Sequence, residues 1–178
     1  MSGSPPLAFG APPALRPLTF WDVATASAIH AVCFPEDPWW PLAISTLLAS
    51  PGNFGLIALA TDLPEPQPLG FVMARAVADE GEILTIGCRS EARQRGVGRL
   101  LLDAAIAQAA QAGARTMYLE VAEDNEPARR LYGAAGFEFI GRRPGYYRRV
   151  QGAVAALVLK RSLQDPDPVI SRTSQPTI

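Results

Sequence analysis

The sequence predicts a mixed α/β fold, and three observations carry that expectation. Short apolar runs alternate with helical patterns through the second half of the chain. Two strand-like runs in the first half are joined by a proline-rich connection. A glycine-bearing turn sits between a strand pattern and a helix pattern in the middle. At 178 residues the chain is long enough for one α/β domain with a sizeable core and short for two.

Residues 1–13, rich in Gly, Pro, Ser and Ala, read as a flexible arm, and 164–178 as a similar Pro/Ser/Thr-rich tail, leaving one domain over 14–163. Thr19–Cys33 predicts a helix with Ala24, Ala28, Ile29 and Val32 on one face. Phe34-Pro35-Glu36-Asp37-Pro38 breaks it, and Pro41–Ser50 predicts a second helix with Pro41 in its first turn. Gly55–Thr61 and Leu69–Val77 predict strands joined through Asp62–Pro68, and Glu82–Cys88 a third. Val97–Ala112 is an alanine-rich helix stopped by Gly113. Thr116–Val121 is a strand, Pro127–Ala135 a short helix stopped by Gly136, and Phe137–Gly141 and Val154–Lys160 close the sheet. The strand-helix alternation implies parallel pairing at the sheet's centre, and the early hairpin an antiparallel edge.

Composition excludes several function classes. A formal net charge of −1 gives no global attraction to nucleic acid or anionic membrane. The arginines 142, 143, 148 and 149 read as solvated surface rather than an RNA site. Two cysteines, Cys33 and Cys88, are too few for a disulfide framework and lack zinc-ligand spacing, so no metal is expected. The first residues lack a basic region and carry Pro5, Pro6, Pro12 and Pro13, unlike a signal peptide. No apolar run approaches the roughly 20 residues of a membrane helix. The expected setting is cytoplasmic.

The most informative segment is Arg93-Gln94-Arg95-Gly96-Val97-Gly98-Arg99. Gly96 and Gly98 remove side chains where a ligand would approach the backbone. The helix that follows directs its free N–H groups and positive dipole end at the same turn. Together these suit an anion such as a pyrophosphate, although a tight turn alone would also use two glycines. Neither a Gly-Lys-Ser/Thr loop nor a three-glycine dinucleotide fingerprint is present.

Read as Arg93, Gly96 and Gly98, this loop resembles the Arg/Gln-x-x-Gly-x-Gly/Ala motif of the GNAT superfamily of acetyltransferases. The similarity runs from about Arg16 to Leu163 and is densest from Glu82 to Tyr147. Within that family the chain is similar to the branch that acetylates the N-terminal alanine of a small-subunit ribosomal protein. The residues carrying this are Phe34-Pro35 with Pro38-Trp39, Leu119-Glu120-Val121, Asn125, Leu131-Tyr132, Gly136-Phe137 and Tyr146-Tyr147. The resemblance implies a GNAT fold and acetyl-coenzyme A as co-substrate. The backbone of Ile86, Gly87 and Cys88 would pair with the pantetheine arm. Amides of Gln94, Arg95, Gly96, Val97, Gly98 and Arg99 would hold the pyrophosphate, and Asn125 would add a hydrogen bond. Two departures stand out: Gly87-Cys88 replaces a small-then-aliphatic pair, and Trp40 stands where a serine or threonine cap is usual.

Acetyl transfer to an amine needs a base, a polarised thioester carbonyl and an acid for the departing thiolate. Glu120 is the only acid in its strand and shares a face with Tyr118. The residue pattern leaves two readings open, an ion pair with an arginine or a general base; the resemblance implies the base. Tyr132 is either a buried core tyrosine or, by the resemblance, the acid. Asn125 stands before Pro127 as a helix N-cap. The amide of Cys88 would polarise the carbonyl. Its thiol opens a covalent route, but strand cysteines are commonly small buried hydrophobes, and the family transfers directly. His30, the only histidine, reads as a packing or surface residue. Phe34, Trp39, Trp40, Tyr146 and Tyr147 are expected to border the acceptor pocket. The expected partner is a protein N-terminus, of a small-subunit ribosomal protein. The alternatives are a small amine such as a polyamine, amino acid or antibiotic, and a non-catalytic acetyl-coenzyme A sensor.

Overall fold

The computed structural model describes residues 11–62, 64–150 and 152–164, so most of the expected arm and tail lies outside the described residues. A strand, β1 (Ala14–Pro17), opens the described chain. Four residues are too few to display a periodicity, and the sequence predicts no strand there. Arg16 clasps Asp22 through two bonds of 2.7 Å. Asp22 also accepts from the Thr19 amide and hydroxyl, both at 2.8 Å. The Arg16 bond, helped by the Thr19 donors, holds the Asp22 carboxyl well below the usual carboxylate range. This clasp spends 20–22 on a 3-10 turn, and α1 starts only at Val23 and runs to Cys33.

The buried face of α1 is rotated from the expected one. It consists of Val23, Ala26, Ser27, Ile29 and His30, whereas Ala24 and Ala28 face outward and Val32 is 63% exposed. Counting apolar residues missed Ser27 and His30, which are buried because both have polar partners. The Ser27 hydroxyl donates to the Trp39 carbonyl at 2.9 Å, and the Trp39 amide donates to His30 Nδ1 at 3.0 Å. Helix α2 (Pro41–Ala49) follows, with Trp40 at its N-cap position and no side-chain cap.

Strands β2 (Asn53–Ala60), β3 (Gln67–Val77) and β4 (Glu80–Cys88) form an antiparallel meander. Helix α3 (Val97–Gln111) crosses to β5 (Thr116–Ala122), which pairs with β4 in parallel. Helix α4 (Glu126–Ala134) then leads to a long hairpin of β6 (Glu138–Arg149) and β7 (Gly152–Ser162). The seven strands lie in the order β1-β2-β3-β4-β5-β7-β6. β7 inserts antiparallel between β5 and β6, so the parallel centre is the single β4–β5 ladder.

β6 extends well past Gly141 because its arginine-rich second half still pairs with β7. Its mostly exposed pattern and two register breaks hide the period-two signal of a strand. One core, including Leu56, Val72, Ile83, Leu101, Leu119 and Phe137, packs α3 and α4 on one sheet face. A smaller one, including Ile29, Ile44, Ile57, Phe71 and Met73, packs α1 and α2 on the other.

Candidate active site

The two central strands part company halfway along. The β4–β5 ladder runs from Glu80↔Thr116 only to Ile83↔Leu119. In the β3–β4 register, Met73 faces Thr85 and Ala74 faces Ile83, so Leu84 is an extra residue on β4. Such a bulge bends its strand and increases the local twist. Beyond it β4 stays with β3 as far as Cys88, and β5 stays with β7 as far as Ala122. Among the described residues no strand fills the gap between them. Ile86, Gly87 and Cys88 therefore offer a backbone edge to a cleft, with Glu120 on the opposite wall.

The turn before α3 closes one end of this cleft. Gln94 and Gly96 take left-handed φ values of 58° and 80°. Alternating conformations of this kind turn successive amides inward as an anion nest. The Val97, Gly98 and Arg99 amides lie in the first turn of α3, where an α-helix has no internal acceptor. A Cβ added to Gly98 would lie 3.5 Å from Leu131 Cδ2 and 3.7 Å from Cys88 Sγ, so this glycine marks where α3, α4 and β4 converge. The Arg99 guanidinium is engaged with Asp103 at 2.7 Å and the Ala134 carbonyl at 2.9 Å, which leaves its amide as the group toward the turn. Arg93, at the start of the motif, donates to the Cys88 carbonyl at 3.3 Å. The residues present fit a pyrophosphate-bearing thioester: an amide nest, a helix N-terminus and an unpaired strand edge adjoin one another.

Gly87 answers for the departure noted in the strand. A Cβ there would meet Cys33 Sγ at 3.2 Å and Phe71 Cε1 at 3.4 Å, so α1 packs too closely for a larger residue without a shift. Cys33 donates to the Cys88 carbonyl at 3.3 Å. Burial pushes the Cys88 thiol up to about 11, with Cys33 adding to it.

Tyr132 is 5% exposed and meets Phe137 edge-on at 5.9 Å. Burial, then the neighbouring Tyr147 and Cys88, raise its hydroxyl well above the ordinary tyrosine value. Glu120 is 23% exposed and pairs with Arg143, Nη1 to Oε1, at 2.7 Å. A hydrogen bond to Glu120 is the main cause of the raised Tyr146 pKa. Tyr147 is pushed up to about 12 by burial and then by Glu120. Tyr147 thus lies near enough to Glu120 to be raised by it and near enough to Tyr132 to raise that hydroxyl in turn. Asn125 caps α4, accepting from the Ala128 amide at 3.2 Å. A groove of roughly 720 Å³ runs from Glu120 past Tyr118, Glu82 and Arg75 to the turn at Asp79.

The predicted aromatics divide. Tyr146 and Tyr147 lie edge-to-face at 5.0 Å beside Glu120. Trp39 stacks on His30 at 4.8 Å and Phe34 tilts against it at 4.5 Å, so these two pack around a buried histidine. Trp40 is 68% exposed.

The arginines read as solvated surface are largely committed to carboxylates. Besides Arg143, Arg142 grips Glu123 at 2.7 and 3.1 Å. Arg149 reaches Glu36 at 2.8 Å and Asp124 at 3.4 Å, tying the β6–β7 hairpin to the α1–α2 loop and the β5–α4 turn. The signal for them was the acidic set Glu120, Glu123 and Asp124 at the end of the preceding strand.

Comparison with known proteins gives this geometry a family. The N-alpha-acetyltransferase RimI of Mycobacterium tuberculosis is 35% identical over 156 residues, 87% of this chain and 96% of that protein. A [ribosomal protein bS18]-alanine N-acetyltransferase of Salmonella typhimurium is 33% identical over 89 residues, 50% of this chain and 60% of its own length. In fold, the crystal structure of the ribosomal-protein-S18-alanine N-acetyltransferase from Escherichia coli superposes with a TM-score of 0.76 at 22% identity, over 87% of this chain and 97% of that one. Arabidopsis thaliana NAA60 in complex with acetyl-CoA gives 0.76 at 21% identity, over 85% and 98%. The acetyltransferase (GNAT) family matches residues 21–137, and the chain belongs to that family.

Proposed function

We propose that this acetyltransferase transfers the acetyl group of acetyl-coenzyme A to the α-amine of a protein N-terminus, with alanine first, in a small-subunit ribosomal protein. The observation that carries the reading is the parting of β4 and β5 beyond Ile83 and Leu119, with Glu120 on one wall and Cys88 on the other. The 35% identity to a named N-alpha-acetyltransferase over nearly its whole length supports the α-amine as acceptor.

Acetyl-coenzyme A supplies the acetyl group as an activated thioester. The nest at 94–99 and the edge of 86–88 hold its phosphates and pantetheine arm, Asn125 adds a bond, and the Cys88 amide polarises the carbonyl. Glu120 takes the proton from the amine, directly or through one water, as the N–C bond forms and the C–S bond breaks. Tyr132 protonates the leaving sulfur. A tyrosine hydroxyl, with a pKa ordinarily about 10, is protonated at neutral pH and so has a proton to give. Burial pushes the Cys88 thiol up to about 11 and makes it a poor nucleophile, which supports direct transfer within a ternary complex over a covalent route. Proximity of amine and thioester in one cleft supplies the rate. An α-amine with a pKa near 7.7–8.0 is partly neutral already and suits a single glutamate better than a lysine does.

The test compares an alanine-first peptide with its N-terminally blocked, lysine-containing counterpart and with small amines, reading products by mass spectrometry. Equal or greater kcat/KM on the blocked peptide or on a small amine would defeat the α-amine assignment. Glu120→Gln and Tyr132→Phe should lower kcat by about 10²–10⁴-fold with little change in acetyl-coenzyme A affinity.

A further inference from the structure

The ion pair on Glu120 has an unusual origin in the strand that supplies it. In the β6–β7 ladder Arg143 faces Ala156 and Tyr147 faces Val154, so 144–146 bulge outward opposite one residue of β7. Gly145, at φ 64°, takes the left-handed step within that bulge. In a regular strand, residues 143 and 146 would point to opposite faces. Here both reach the same carboxylate. Arg143 Nη1 pairs with Glu120 Oε1 at 2.7 Å, and hydrogen bonding to Glu120 is the largest cause of the raised Tyr146 pKa, with Arg143 opposing it. The Arg143 guanidinium also lies 5.6 Å from the Tyr146 ring centroid. The small Ala156, which pairs with Ala122 of β5, lets the arginine extend over β7 toward Glu120.

Stability does not account for this arrangement. The Arg143 side chain is 59% exposed, and pairs that exposed contribute little to folding. What the triad does is fix a carboxylate that would otherwise rotate about three side-chain bonds. We propose that Arg143, with Tyr146, is a positioning residue for the base: it holds the Glu120 carboxylate toward the cleft in the orientation that accepts the acceptor's proton. This inference rests on Glu120 being the base. A catalytic group displaced by about 1 Å costs on the order of 10²-fold in rate, which sets the scale of the expected effect.

The experiment measures single-turnover acetyl transfer at saturating acetyl-coenzyme A and alanine-first peptide, with KM values and melting curves. The variants are Arg143→Ala, Arg143→Lys, Glu120→Gln and the Glu120→Gln/Arg143→Ala double variant. Arg143→Ala should lose about 10- to 100-fold in rate with both KM values and the melting temperature little changed. Arg143→Lys should recover part of the loss, because an ammonium still pairs with the carboxylate though without the planar fork. In the Glu120→Gln background, Arg143→Ala should cost nothing further, since residues acting as one unit are not additive. Wild-type turnover in Arg143→Ala, or a loss that adds fully to that of Glu120→Gln, overturns the positioning role while leaving the base in place. Wild-type turnover in Glu120→Gln overturns both.

Discussion

His30 is a buried titratable group that the proposed chemistry does not use, and it makes a clean pH prediction. Burial lowers its pKa from 6.5 to about 4, with Asp37 partly opposing the shift. The geometry agrees, because Nδ1 already accepts the Trp39 amide and cannot take a proton without losing that bond. Below pH 6.5 the unfolded chain binds a proton that the folded chain refuses, so stability falls with falling pH until about pH 4. The shift corresponds to about 3 kcal/mol across that window. Asp22, Glu91 and Glu123 are lowered from 3.8, 4.5 and 4.5, so their contributions are lost as pH falls toward and below those values, mostly beneath the His30 window. Urea melts at pH 7.5 and 5 should show the slope, and a His30→Gln variant should lack it. At the same scale, Cys88→Ala should remain active. Loss of activity together with a trapped acetyl group on Cys88 would replace direct transfer with a covalent route.

The element of greatest consequence is the turn into α3. Gly96 takes the left-handed φ that an L side chain adopts at a cost of about 1–2 kcal/mol, whereas Gly98 is helical and owes its place to proximity. Gly98→Glu would place a carboxylate between Leu131 and Cys88, at the mouth of the amide nest. Affinity for coenzyme A should drop at least tenfold, about 1.4 kcal/mol, by calorimetry on a variant with an unchanged circular dichroism spectrum. Unaltered binding would remove the turn from the cofactor site. The Leu84 bulge works alongside it, since only a bent β4 leaves 86–88 without a partner on that edge.

Across the whole molecule, Glu36 joins segments 113 residues apart. It accepts from Arg149 at 2.8 Å and from the Val150 amide at 3.4 Å, holding the α1–α2 loop against the tip of the long hairpin. The same hairpin carries Tyr146 and Tyr147 beside Glu120. Glu36→Gln should raise the acceptor's KM several-fold by loosening this wall, while the acetyl-coenzyme A KM stays put. Partly exposed pairs are worth about 0–1 kcal/mol, so the melting temperature should hardly move. An acceptor KM identical to wild type would show that the latch does not shape the acceptor side.

The α/β alternation, the helix bounds of α2 and α3, the glycine turn and the Asn125 cap were legible because each depends on neighbours close in sequence, whereas Glu120 and Tyr132 were singled out through the family resemblance. Helix caps, strand alternation and turn glycines are local properties, and a motif gathers them in one short window. What only the tertiary structure decided depends on contacts between distant segments. The face of α1 turned because Trp39 gives Ser27 and His30 polar partners in the core. β6 outran its apolar signal because β7 pairs with a run that reads as polar surface. Arg143 of that run came to pair with Glu120 because β7 inserts between β5 and β6 and leaves β6 within an arginine's length of that carboxylate. Arg143 reaches Glu120 across β7, and Arg149 reaches Glu36 and Asp124 in a distant loop and turn. The acidic residues hinted at such pairs, but which arginine meets which carboxylate leaves no period in any one segment and is decided by the assembled sheet.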